Sequence, residues 1–488
     1  MAPSPDPPFS APPRVVVVGA GPCGSALALQ LLRGGVAVDL VEGRCPHQHL
    51  PRGEGLMPSG LEALDRLGLI HALPEGSRRP LRSWAFWLEG QPLFSVAEPL
   101  GAGPPCSLIR TPWLLETLLE EARAWPGLRW HPGRTATALH WEGPPADAAG
   151  DGTRVRGVQL DDGRLLEADL VVACDGRNSR LRQLADLGLQ EDPQAVAVLW
   201  FALEAGPATA PLERWLDGRF VTLLAGGESL AFYSPAGGGL RLGWLSEGDR
   251  DAIPAGTNHR PGQEIAAAAG AGQAPAAASP TPSASAAAQD PAASPNPAAS
   301  TGGPDSASCA ATVRSLPWAE RFARLSPDDL APLWRALEPS AIPAPVPVRI
   351  RPALASRWHR PGLLLLGDAA HPMSPLRAQG LNMALRDAVV AAETLLELLR
   401  PEPWRAAGSD PQRRARLENA LATVERHRRP EILRIQALQR QELGRALLLR
   451  RNGLLRRLLT ATAPWSGALL ARRWQAGQPT LRRGLPLS

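Results

Sequence analysis

The sequence predicts an α/β protein: a doubly wound, Rossmann-like sheet domain, an antiparallel-sheet domain beside it, and a helical C-terminus. Three observations carry this. The run RVVVV, Arg14 to Val18, suits a strand buried on both faces and passes into a glycine-spaced turn and a helical segment. Between residues 197 and 245, short runs such as FVTLLAG and SLAFYSP meet at Gly-Gly-Glu, and Gly237-Gly238-Gly239 precedes LRLGWL, which is the pattern of antiparallel hairpins. After Gly362 the strand-then-helix pattern returns, and arginine-rich helical periodicity dominates the end, as in VERHRRPEILRIQALQRQELGRALLLRR.

A chain of 488 residues is long enough for one large core or two, so several domains are expected. Its cations are all arginine; with no lysine present, any mechanism that needs a catalytic lysine is excluded. The net charge of +5 is unevenly spread. Residues 401–488 hold 18 arginines against 6 acids, a balance of +12, which leaves −7 on residues 1–400 and predicts a basic surface on the C-terminal part. Five cysteines without a CxxC pair indicate neither a disulfide framework nor a zinc site, so no metal is expected. No apolar run approaches the ~20 residues of a membrane span. The run at Val15 is too short for a signal-peptide core, and a cytoplasmic setting follows. Residues 1–13 read as a flexible tail. Residues 255–313, nearly all Ala, Pro, Ser and Gly from Ile265 to Ala311, read as a disordered insertion.

The N-terminal unit, RVVVVGAGPCGSALALQLLRGGVAVDLVE, places Gly19-x-Gly21-x-x-Gly24 directly after the first strand. Glycines permit the tight turn and let the backbone approach a pyrophosphate, whose charge rests on the helix N-terminus. A second strand ends at Glu42, 18 residues past Gly24, where an acid accepts hydrogen bonds from ribose hydroxyls and disfavours a 2′-phosphate. Strand, helix, second strand and terminal acid together predict dinucleotide binding. The motif alone does not choose between NAD and FAD.

Two further segments do choose. ADLVVACDGRNSRLR, residues 168–182, is an apolar strand ending at Asp175-Gly176. GLLLLGDAAHPMSPLRAQGLNMALRDA, residues 362–388, is another, ending at Gly367-Asp368 and resuming as a helix after Gln379-Gly380. A GxGxxG turn, an Asp-Gly strand end and GDAAHP, in this order, resemble the flavoprotein monooxygenases of the p-hydroxybenzoate hydroxylase type. The resemblance spans most of residues 14–390 outside the insertion.

That resemblance implies a glutathione-reductase-type FAD domain from residues 14–80, 105–185 and 345–395, and a substrate-side sheet domain from 81–104 and 186–344. It implies non-covalent FAD, with Asp368 holding a ribityl hydroxyl and the helix at Gln379, Gly380 and Asn382 pointing N–H groups at the flavin ring. Pro375 would lie at the ring's reactive face. Where the family commonly has Gly-Gly-Gln-Gly, this chain has Arg377-Ala378-Gln379-Gly380, and Arg377 is left facing flavin, substrate or solvent. Arg52 matches an arginine that reaches flavin or nicotinamide, and Arg110 one near the FAD ribose and pyrophosphate. His371 reads as loop packing. Trp84, Phe86, Trp87, Trp200, Phe201, Phe232, Tyr233 and Trp244 are candidates for the substrate face, half or more of them ordinary core.

The function implied is a single-chain monooxygenase. NADH or NADPH reduces the flavin, O2 forms a C4a-hydroperoxide, and one oxygen atom passes to an aromatic, quinone-like or lipophilic small molecule. An isoprenoid reductase of the geranylgeranyl type is the alternative, and a non-catalytic flavin-binding protein a third. No nucleic-acid partner is expected. Residues 396–488 form a basic helical region. Within it, residues 443–474 pair leucines with arginines at helical spacing, and two readings stay open: a helix packed on the flavin domain, or an interfacial helix on anionic lipid at the inner membrane surface.

Overall fold

The computed structural model describes residues 13–44, 55–142, 153–246 and 317–486. The expected insertion at 255–313 and nearly all of the expected N-terminal tail lie outside the described residues.

A six-stranded sheet has the order Leu128–Pro132, Ala37–Glu42, Arg14–Val18, Leu170–Ala173, Leu363–Leu365 and His359–Arg360. The first five strands run parallel, and the last pair is antiparallel. Arg14–Val18 sits near the middle, which explains its unbroken valines. Val15 and Val17 enter one core while Val16 and Val18 enter another, leaving no position for a polar side chain. Helices Pro22–Arg33, Thr111–Arg123 and Gln379–Leu399 pack leucines and alanines on the first side. A three-stranded antiparallel sheet, Ala136–Glu142, Arg154–Leu160 and Leu165–Glu167, covers the second together with Trp358, Ile432 and Ile435.

Register gathers the motifs. Val18 pairs with Ala173, and Ala173 pairs with Leu365, so three adjacent strands end level. Gly19, Cys174 and Leu366 leave the sheet side by side, and Asp175 and Gly367 follow one residue later.

The second sheet has seven strands, in the order Val346–Ile350, Val196–Leu203, Leu240–Ser246, Glu228–Tyr233, Arg219–Ala225, Ser83–Leu88 and Gln91–Ala97. The hairpins expected between 197 and 245 are present. One pair departs from the antiparallel expectation: Arg219–Ala225 and Ser83–Leu88 run parallel, so the sheet is mixed. Ser83–Leu88 arrives from an earlier part of the chain rather than through a turn, and its hairpin mate is Gln91–Ala97.

Period-two alternation sorts the aromatic candidates. Phe201, Phe232 and Trp244, with Trp87 beside them, belong to an outer core closed by Phe322 and Trp334 from helices Trp318–Leu325 and Ala331–Arg335. Trp84 and Tyr233, with the partly buried Phe86 and Phe220, occupy the opposite face, as does Trp200.

From Gln379 onward the chain is helical, as expected for its basic end. Helix Asp410–Arg451 runs 42 residues and breaks at Asn452, whose side chain caps the following helix by accepting from the Leu455 N–H at 2.9 Å. That following helix, Gly453–Ala476, lies against the edge strand Gln91–Ala97. Gly467 permits the approach, since a Cβ there would stand 2.8 Å from the Leu93 carbonyl oxygen.

Candidate functional site

The glycine turn is fixed by backbone crowding. Gly19 has φ of +101, and a Cβ on it would meet the Cys174 carbonyl oxygen at 2.3 Å; one on Gly24 would meet the Gly19 oxygen at 1.9 Å. Gly21 differs: nothing lies within 4 Å of where its Cβ would be, so open space adjoins the start of helix Pro22–Arg33. No side chain caps that helix, and its first N–H groups remain available. Glu42 closes the turn by accepting from the Ala20 N–H at 2.8 Å and the Arg44 N–H at 2.9 Å.

At the second strand end, Asp175 accepts from the Leu181 N–H at 3.2 Å through Oδ2, while its Oδ1 is buried with no hydrogen-bond partner. Burial pushes its carboxyl above the ordinary range. Gly176 follows with φ of +83. Arg182 ties this loop to the third strand end by donating to the Ala369 oxygen at 2.8 Å and the Arg177 oxygen at 3.2 Å.

The third strand breaks at Gly367, whose φ is +59 and whose N–H donates to Asp387 Oδ2 at 2.9 Å. Asp368 is half-buried, and its carboxylate makes no hydrogen bond or ion pair with a described residue. Its Oδ1 lies 3.8 Å from where a Cβ on Gly380 would be, which places a carboxylate beside the start of helix Gln379–Leu399. That helix too has neither a side-chain cap nor an acid in its first turn.

The loop before that helix is held from several directions. Arg377 and Ala378 both adopt the left-handed region, with φ of +61 and +49, a conformation that ordinarily favours glycine. Such residues cost about 1–3 kcal/mol each and persist only where the surroundings impose them. Arg377 Nε donates to Glu442 Oε2 at 2.7 Å, and its guanidinium lies 5.0 Å from the Trp84 ring centre and 4.8 Å from that of Trp474. It is therefore enclosed by the protein. Asn382 is spent on backbone: its Oδ1 accepts from the Met57 N–H, and its Nδ2 donates to the Gly55 and Ala378 oxygens. Gln379 donates to the Leu481 oxygen at 2.7 Å and keeps a buried, unpartnered Oε1.

Several contributors were not found in the sequence. Gln439 donates to the Ser374 and Leu376 oxygens on either side of Pro375, and Gln436 donates to the Pro372 and Ala353 oxygens. The long helix thus staples the loop from outside the motif. His371 is more than loop packing: its Nε2 lies 2.6 Å from Asp387 Oδ2, and Arg428 Nε donates to Asp387 Oδ1 at 2.7 Å. Burial opposes ionisation of Asp387, but His371 and Arg428 outweigh it and hold the carboxyl at about 2. Glu431 joins Arg428 and Arg386 in the same buried network. The one available signal was Arg386-Asp387 inside an otherwise apolar helical run.

Not every candidate is brought together. Arg110 begins helix Thr111–Arg123 and stacks over Trp113 at 5.2 Å, close to Glu204 and the turn at Gly237. Arg52 lies outside the described residues.

Three level strand ends, two uncapped helix starts and carboxylate oxygens without partners form an edge suited to a dinucleotide. Residues 13–232 and 342–423 match the FAD binding domain family. 6-Methylpretetramide 4-monooxygenase of Streptomyces rimosus is 30% identical over 481 residues, covering 96% of this chain and 91% of that protein. Ubiquinone hydroxylase UbiL of Rhodospirillum rubrum is 25% identical over 430 residues, covering 87% and 79%. The solved structure of p-nitrophenol 4-monooxygenase PnpA from Pseudomonas putida DLL-E4 shares the fold, with a TM-score of 0.63 and 19% identity over 97% of this chain and 98% of that one.

The chain belongs to this family, the p-hydroxybenzoate hydroxylase-like monooxygenases. It is an FAD-dependent enzyme with NAD(P)H as reductant and O2 as co-substrate, and the reductase alternative is not favoured.

Proposed function

We propose that this chain hydroxylates an aromatic or quinone-like small molecule, with FAD lying across the three level strand ends. The observation that carries the reading is the adjacency of Gly19, Asp175 and Asp368, set by the Val18–Ala173–Leu365 register. Bound FAD supplies the redox chemistry, taking electrons from NAD(P)H and activating O2 for transfer of one oxygen atom.

The chain's residues bind and orient. Gly19, Gly21 and Gly24 admit the pyrophosphate to the N–H groups of helix Pro22–Arg33, and Glu42 accepts from the ribose. Asp368 would take a ribityl hydroxyl, and the unpartnered Asp175 Oδ1 with Gly176 would complete the same edge. The helix start at Gln379 and Gly380, without a cap or a first-turn acid, would favour negative charge on a group held there. Pro375 would border the flavin, while Asn382 fixes the helix start against Gly55 and Met57. Arg377 is a positioning residue, holding the loop through Glu442. Arg110, stacked on Trp113 beside the turn at Gly237, would have to swing from that position to reach the FAD ribose or pyrophosphate.

In this reading residues 14–80, 105–185 and 345–395 form a doubly wound, glutathione-reductase-type FAD domain, and the seven-stranded sheet supplies the substrate side. Trp84, Phe86 and Tyr233, packed with Trp474 and Phe220, would wall the substrate side, in keeping with relatives named for a pretetramide and a quinone. The test is NAD(P)H oxidation by the FAD-loaded protein in an oxygen electrode. Stimulation by aromatic compounds, with matching O2 uptake, supports the reading, and oxidation indifferent to every aromatic tried opposes it.

A further inference from the structure

Helix Gly453–Ala476 is apolar on two opposite faces, and only one is docked. The inner face is small where it meets the sheet edge, with Thr460, Ala463, Gly467 and Ala471, and ends in Trp474 among Trp84, Phe86 and Phe94. On the outer face Leu454, Leu458, Trp465 and Leu469 recur at spacings of 4, 7 and 4, so they form one stripe. They are 78%, 60%, 82% and 67% exposed. Leu448, just before the break at Asn452, extends it. A monomer surface rarely leaves so continuous an apolar stripe unless something covers it.

Charge identifies the cover. Arg457, Arg472 and Arg473 are exposed around the stripe, and none has a carboxylate partner among the described residues. The helix carries no Asp or Glu at all. Pairing with a second copy would set these arginines against their own kind, whereas an anionic lipid headgroup layer would neutralise them while the leucines and Trp465 enter its apolar boundary. No helix among the described residues is long and apolar enough to cross a membrane. Arginines elsewhere in the segment are already engaged: Arg450 donates to the Gly227 oxygen, and Arg456 pairs with Glu89 and donates to the Leu449 and Arg450 oxygens. They anchor the helix to the sheet domain.

We propose that the outer face of helix Gly453–Ala476 docks on anionic lipid surfaces, through Leu454, Leu458, Trp465 and Leu469 with Arg457, Arg472 and Arg473 around them. The experiment is flotation of the full-length, FAD-loaded protein with phosphatidylcholine vesicles, with and without phosphatidylglycerol, across a salt series. Binding to the anionic vesicles alone, weakened by salt, is expected. Trp465→Ser with Leu469→Ser should lower partitioning at least tenfold, as should Arg457→Gln, Arg472→Gln and Arg473→Gln together. The flavin spectrum and thermal midpoint report that each variant is folded. Arg450→Gln with Arg456→Gln should shift the thermal midpoint instead of the charge dependence. A wild type that stays unbound with anionic vesicles at low salt overturns the proposal. So does a dimer in light scattering that the Trp465→Ser, Leu469→Ser variant dissociates, since the face would then be covered by a second copy.

Discussion

Arg377 Nε and Glu442 Oε2 lie 2.7 Å apart, and this pair ties the loop before helix Gln379–Leu399 to the long helix Asp410–Arg451. Both side chains are largely buried. Burial opposes ionisation of Glu442, but Arg377 overrides it and lowers the carboxyl below its usual range. The pair therefore counters the backbone strain at Arg377 and Ala378.

Separating the pair should loosen that loop. Arg377→Gln and Glu442→Gln should each cost about 1–3 kcal/mol in stability, because the remaining charge is left buried. FAD should stay bound, with fewer moles of product formed per NAD(P)H oxidised. A double-mutant cycle checks the coupling, and strictly additive single effects would count against it.

Asp387 makes stability acid-sensitive. Its carboxyl sits at about 2, below the ordinary 3.8, so its contribution is fully present above about pH 4 and is lost as pH falls toward 2. A shift of that size corresponds to about 2 kcal/mol. Denaturant melts between about pH 7 and 2 should show this contribution holding down to about pH 4 and falling away below it. Asp387→Asn should start lower and respond less to pH; an unchanged slope in the variant would assign the acid sensitivity elsewhere.

Asp368→Ala should weaken FAD binding by about 1–3 kcal/mol, roughly 5- to 150-fold, while the melting midpoint of the apoprotein barely moves. The carboxylate has no internal partner to lose. Flavin fluorescence titration of the apoprotein measures this, and an apoprotein destabilised as much as the holoenzyme would make Asp368 a structural residue.

Gly24→Ala should do both. Its methyl would stand 1.9 Å from the Gly19 oxygen, so the turn must open. Apoprotein stability and FAD affinity should fall together, whereas Gly21→Ala should spare the apoprotein and affect FAD alone. Equal apoprotein losses for the two variants would contradict the assignment of open space at Gly21.

What the sequence revealed is what short spacing can encode. The glycine turn, the Asp-Gly strand end and the GDAAHP strand end each lie within a few residues, and parallel register then brings them level. Contacts across long separations left no such trace. Asp387 and Arg428 are 41 residues apart, and each reads as a surface charge until burial pairs them. Arg377 read as a charge facing flavin, substrate or solvent because Glu442, 65 residues on, has no local link to it. The parallel pairing of Ser83–Leu88 with Arg219–Ala225 was hidden for the same reason. Alternation predicted two faces for the aromatic strands but not which face met the outer helices; only Phe322 and Trp334 decide that.

The central claim is oxygen transfer, and the most direct measurement follows the oxygen atom. FAD-loaded protein, NAD(P)H and a hydroxyaryl compound that stimulates its oxidation are combined under 18O2, and the product is weighed by mass spectrometry. The account predicts one labelled oxygen atom per product molecule and no product under argon. Anaerobic turnover to a product gaining two hydrogens and no oxygen would contradict it.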